Sequence, residues 1–103
     1  MASFRANYVS NAIRMQVLAE IGGSISFKGI LDAAVDRAKK KDRAKGLSDS
    51  LYGTWHQHIG TIGRVSDEFR GILEDLNITT GHGEPLLEEL DRRFGTGASL
   101  YHA

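Results

Sequence analysis

The stretch Phe27-Lys28-Gly29-Ile30-Leu31-Asp32-Ala33-Ala34-Val35-Asp36-Arg37-Ala38-Lys39-Lys40-Lys41-Asp42-Arg43-Ala44-Lys45-Gly46 decides the fold class. Phe27, Ile30, Leu31, Ala34, Val35 and Ala38 follow the series i, i+3, i+4, i+7, i+8, i+11, which lines one face of an α-helix. Ser26 stands where an N-cap belongs, since its hydroxyl can accept an unsatisfied N–H of the first turn. After Ala38 the apolar stripe stops. The cations that follow complement the negative end of the helix dipole, and Gly46 supplies a stop.

Upstream, Val9, Ile13, Val17, Leu18 and Ile21 recur at the same period, predicting a helix from about Asn7–Ser10 to Ile21. Ser10 is its expected cap, and Gly22 its expected left-handed terminus. Gly22-Gly23-Ser24 reads as a turn, and the alternation of Ile25 and Phe27 with serines is too short for a strand. Downstream, Leu51, Trp55, Ile59, Ile62, Val65, Phe69, Ile72, Leu73 and Leu76 carry the helical period on. A continuous helix there would hold Gly53, Gly60 and Gly63, each costing about 1 kcal/mol relative to alanine. Two helices are therefore expected, 49–62 opened by Ser48 or Asp49 and 66–76 capped by Ser66. The glycines also admit a second backbone closely, which would make the first of these helices central.

Asn77–Glu84 is polar and glycine-rich and predicts a small turn or hairpin. Pro85 then fits the first helical position, and Leu86, Leu87, Leu90 and Phe94 give a last short helix stopped by Gly95. Thr96–Ala103 has no period and is expected to be a loose tail. The expected architecture is mainly α, a single compact domain over 1–95 with four to five short helices. Its predicted core includes Ile13, Val17, Leu18, Ile30, Leu31, Val35, Trp55, Ile59, Ile62, Phe69, Leu73 and Leu90.

Composition agrees. With 103 residues, 41% hydrophobic and 25% charged, the chain suits one soluble domain. No apolar run approaches the ~20 residues that span a bilayer, and Met1–Asn7 holds no secretory apolar region, so a cytoplasmic location without membrane attachment is expected. The chain has no cysteine, which excludes disulfides, thiolate catalysis and cysteine-ligated zinc. Its formal charge is +0, yet residues 1–64 hold ten basic and five acidic side chains, against three and eight in 65–103. Such asymmetry hints at a polarised surface.

Catalytic constellations are hard to find. His56 and His58 are i, i+2 neighbours and point about 200° apart on a helix, so they do not share one metal as an i, i+4 pair does. Gly81-His82-Gly83-Glu84 could offer N–H groups to an anion but lacks the lysine and hydroxyl of a phosphate loop. Glu74/Asp75 and Glu88/Glu89 are adjacent in sequence and do not face each other. No serine sits in a nucleophile-elbow pattern. Neither an enzyme, a metal site nor a cofactor is expected.

The strongest local signal is the basic run. Arg37, Lys39, Lys40, Lys41, Arg43 and Lys45 stand against Asp36 and Asp42, and such a cluster can neutralise phosphates. In pattern, 10–38 resembles the first two helices of winged-helix and related helix-turn-helix DNA-binding domains. The shared features are Ile13, Val17, Leu18 and Ile21, the Gly-Gly turn, the brief Ile25–Phe27 extension and the helix from Phe27. The resemblance covers about three quarters of the chain and implies a recognition helix at 49–62 and a wing at 77–84. One departure is plain: no Lys or Arg occurs from Leu47 to Gly63, where a recognition helix usually carries some. Base reading would then rest on residues such as Tyr52 and Gln57, with 37–45 on phosphates. The first expectation is thus a DNA-binding regulator. The competing one is a protein-interaction module, such as an adaptor, an antitoxin-like partner or a phage-type inhibitor of a host complex, and a homodimer is compatible with either.

Overall fold

Ser26 accepts a hydrogen bond from the Gly29 N–H at 3.1 Å and opens the helix Phe27–Ala44 (α2), as its sequence predicts. In this computed structural model, residues 2–23, 25–48, 50–78 and 80–99 are described, 2–9 and 80 by their backbone alone. Before α2 comes the helix Ala2–Glu20 (α1). After it come a 3-10 helix Ser50–Gln57, the helix Ile59–Asp75 (α3) and the helix Thr80–Phe94 (α4). There is no strand among the described residues. The chain is a mainly helical single globule, and none of its described helices is long and apolar enough to cross a membrane.

α3 is the central element, packed against α2, α1, α4 and the 3-10 helix. Its Val65, Phe69 and Ile72 are fully buried with Val17 of α1, Ile30 of α2, and Leu87 and Leu90 of α4. Phe27 and Phe69 join α2 to α3 with ring centroids 5.5 Å apart. Gly29 lets α2 start close beneath the end of α1, for a Cβ there would lie 3.3 Å from the Ile21 carbonyl oxygen. Gly46, at φ 81°, takes the left-handed turn that ends α2.

Four local expectations need correction. α1 begins at Ala2, so Ser10 lies inside it rather than capping it; no glycine or proline between them stops the helix. The break expected near 62–66 falls at His58, and Ser66 is buried within α3. Burial of the Val65, Phe69, Ile72 and Leu73 face outweighs the ~1 kcal/mol that Gly60 and Gly63 each cost in a helix. The residues before the break form the 3-10 helix, kinked at Thr54, instead of one helix over 49–62. Finally, α4 starts at Thr80, which makes 80–84 helical and leaves Pro85 inside the helix. Only a turn remains, where Asn77 at φ 58° closes α3. The reason is packing: Gly83 is buried, and a Cβ there would lie 3.5 Å from side-chain atoms of both Ile78 and Leu73.

Of the predicted core, Val17, Ile30, Phe69, Leu73 and Leu90 are buried. Leu18, Leu31, Val35, Trp55 and Ile62 are half-buried. Ile13 and Ile59 are exposed. The expected loose tail is pinned as far as Ser99. Asp91 accepts hydrogen bonds from the Thr96 hydroxyl at 2.5 Å, the Ala98 N–H at 2.5 Å and the Ser99 N–H at 3.0 Å, and also from the Ser99 hydroxyl. Ala98 is fully buried. Residues 100–103 of that tail lie outside the described residues.

Candidate functional site

The basic run lies along α2, and α2 packs chiefly against α3, so the cations of one helix meet the acids of the other. Arg37 bonds Asp75 at 3.0 Å and Glu20 of α1 at 3.1 Å. Burial works against its charge, but the Asp75 and Glu20 carboxylates outweigh it and hold its pKa above the ordinary arginine value. Lys41 meets Glu68 at 2.7 Å, and Lys40 meets Asp36 of its own helix at 3.0 Å. Arg43 and Lys45 are exposed near the helix end, and Lys39 is half-buried. Among the described residues, Lys39 and Lys45 make no ion pair.

The innermost part of this seam is built on Asp42, which is only 2% exposed. Tyr52 donates its hydroxyl to Asp42 Oδ2 at 2.5 Å, and Arg64 Nε approaches the same oxygen at 2.8 Å. Arg64 also donates to the Thr61 hydroxyl at 3.2 Å. Burial pushes the Tyr52 phenol up, with its hydrogen bond to Asp42 adding to the shift and the nearby Arg64 opposing it. The Arg64 guanidinium is held above its usual value, first by its hydrogen bond to Tyr52 and also by Asp42. Tyr52, expected to face a base, is thus buried with its hydroxyl engaged, because the 3-10 helix folds it inward against α2. Gln57 is exposed at the end of that helix. A groove of 220 Å³ runs along the seam past Lys41, Lys45, Arg64 and Glu68.

A second region is of opposite character. From Gly46 to Gly63 the only Asp, Glu, Lys or Arg is Asp49, and none occurs from Phe94 to the end of the chain. These two charge-poor segments meet at a groove of 180 Å³ lined by Ile59, Ile62, Gly63, Phe94, Gly95 and Thr96. The Trp55 and Phe94 rings pack at a 45° tilt with centroids 4.7 Å apart. Ile59, at the first position of α3, stands on the rim and is 90% exposed. Leu47 and Leu51 of the same charge-poor stretch are also exposed. The sequence placed Ile59 in a core stripe because its spacing fits one. The missed signal was the start of α3 at that residue, which turns its side chain out with the first turn.

The three described histidines form no cluster. His58 lies 3.3 Å from the Thr54 hydroxyl, His56 and His82 are exposed, and no group of three His, Asp or Glu among the described residues could hold a metal. No protein-family model matches the chain, and no curated protein or solved structure is significantly similar to it.

Proposed function

We propose that this chain is a small non-enzymatic binding protein that engages another polypeptide through the uncharged face around Ile59. The observation that carries the reading is the contrast between a 90% exposed isoleucine on an apolar groove and a basic run largely paired with acids of its own chain. A lysine already neutralised by Glu68 brings little net charge to a phosphate, so it releases few counterions on binding nucleic acid. An apolar groove free of charge suits an apolar side chain of a protein partner.

The DNA-binding reading stands second. It is favoured by Lys39 of α2 and Lys45, the residue that caps its C-terminus, neither of which makes an ion pair among the described residues. One paired experiment separates the two. A photoreactive residue in place of Ile59 should crosslink the chain to a polypeptide in cells, while the same residue in place of Glu74 should not. Binding to random duplex DNA at low salt should be weak, with a shallow dependence on salt. Steep salt dependence, lost on changing Lys39, Lys40 and Lys41 to glutamine, together with no crosslink at position 59, would return the function to nucleic acid.

A further inference from the structure

We infer that the partner seated on this face is a second copy of the same chain, a proposal that rests on the interaction reading above. Ile59 projects from the rim of the groove that Ile62, Gly63, Phe94 and Gly95 line. Knob and recess therefore share one face. A two-fold axis through such a face sends each copy's Ile59 into the other copy's groove, because the same surface patch serves both partners in a two-fold contact.

The charge pattern of the face suits a second copy. A two-fold contact sets a charge on its axis against its own image, so an uncharged centre suits a patch that pairs with itself. Both segments that form this groove, 59–63 and 94–96, contain no Asp, Glu, Lys or Arg. The formal charge of the whole chain is also +0, so two copies approach without net repulsion. A nucleic acid, an anionic membrane or a strongly charged protein would find no charged side chain among the residues that line the groove.

The test is sedimentation equilibrium of the full chain over a wide concentration range. The wild type should move from 11.3 kDa towards twice that mass as concentration rises. Ile59→Glu removes the knob and should weaken association at least about a hundredfold. Gly63→Lys blocks the recess, and since a Cβ at Gly63 meets nothing within 4 Å, that variant keeps its fold. Each variant alone should stay monomeric with unchanged helical dichroism. Mixed together they should associate, because one intact knob then meets one intact recess and the introduced carboxylate and ammonium face each other.

Glu74→Lys, about 20 Å along α3 from Ile59, should leave the dimer intact. Association should persist in high salt, because no ion pair holds it. A wild type that is monomeric at hundreds of micromolar overturns the proposal, as does a dimer that survives both variants or dissolves in salt. If position 59 crosslinks to a different polypeptide while the chain stays monomeric, the interaction reading stands and the second copy is ruled out.

Discussion

The seam between α2 and α3 and the face around Ile59 share one central helix yet carry opposite chemistry. The seam gathers Arg37, Lys41, Asp42, Arg64, Glu68 and Asp75, and its charges close on one another. The face has an exposed isoleucine beside an apolar groove and no charged residue in the segments that line it. Along the sequence, the basic run stands out as functional and the uncharged segments as inert. Folding changes what each region presents, because Arg37, Lys40 and Lys41 are held in ion pairs with acids of the chain while Ile59 is left outside the core. Counting charges along a chain measures what the helices bring together, and only the packing decides what the surface retains.

The contrast breaks first if the seam does not hold the fold. Asp42→Ala leaves the Tyr52 hydroxyl and the Arg64 guanidinium without their common acceptor. Because Asp42 is almost fully buried, the loss should be about 2–4 kcal/mol in urea unfolding. Tyr52→Phe removes one hydroxyl and should cost about 1 kcal/mol. The double variant should fall short of the sum of the two, since both delete the same contact. A loss below about 0.5 kcal/mol for Asp42→Ala would mean the seam is ordinary solvated surface.

A smaller effect is expected where the chain returns to the face. Burial would raise the Asp91 carboxyl, but hydrogen bonds from the Ser99 and Thr96 hydroxyls and the Ser99 and Ala98 N–H groups bring it down to about 2, from 3.8. A carboxyl whose pKa is lowered on folding adds stability above its unfolded value, and that stability is lost as the pH falls through the folded one. Between about pH 4 and 2 the wild type should therefore lose about 1–2 kcal/mol through this group, allowing for solvent screening. Asp91→Asn should abolish that part of the dependence. An unchanged acid limb in the variant would show that Thr96 and its groove are held by something else.

The stripe from Phe27 to Ala38 made α2 legible, cap included, because core packing and helix period agree there. The short connections were harder to read. Gly81 and Gly83 have the composition of a turn, yet both are helical, and Gly83 is buried beside Ile78 and Leu73, a tertiary contact that no local composition reports. The break before α3 was hidden because an apolar residue in the first helical turn has the spacing of a core residue without its burial. The pairing of the basic run was beyond reach for another reason: Lys41 and Glu68 are 27 residues apart, and no periodicity reports which faces of two helices meet.

α3 serves both regions, so the strength of its own ending is a useful gauge. The Ile78 N–H reaches the Leu73 carbonyl at 2.9 Å and the Asn77 N–H the Glu74 carbonyl at 2.9 Å, a Schellman closure with Asn77 left-handed. Asn77→Gly removes the strain of a Cβ at positive φ and should raise stability by about 0.5–1 kcal/mol without altering association. A decrease would mean that the asparagine side chain holds the turn.

The smallest effect is the most discriminating one. Ile59→Ser, measured at concentrations too low for any self-association, should change stability by less than about 0.5 kcal/mol, because a side chain 90% exposed gives up almost no buried area. The same change within the seam's apolar floor, Ala38→Ser, places a hydroxyl where only 2% of the residue meets water and should cost about 1–3 kcal/mol. At higher concentrations the wild type should gain melting temperature while the Ile59 variant does not, since a contact made only by the folded chain stabilises it by mass action. A loss above about 1 kcal/mol in the dilute monomer would show that Ile59 is covered within its own chain. The face would then be core, and its difference from the seam would vanish.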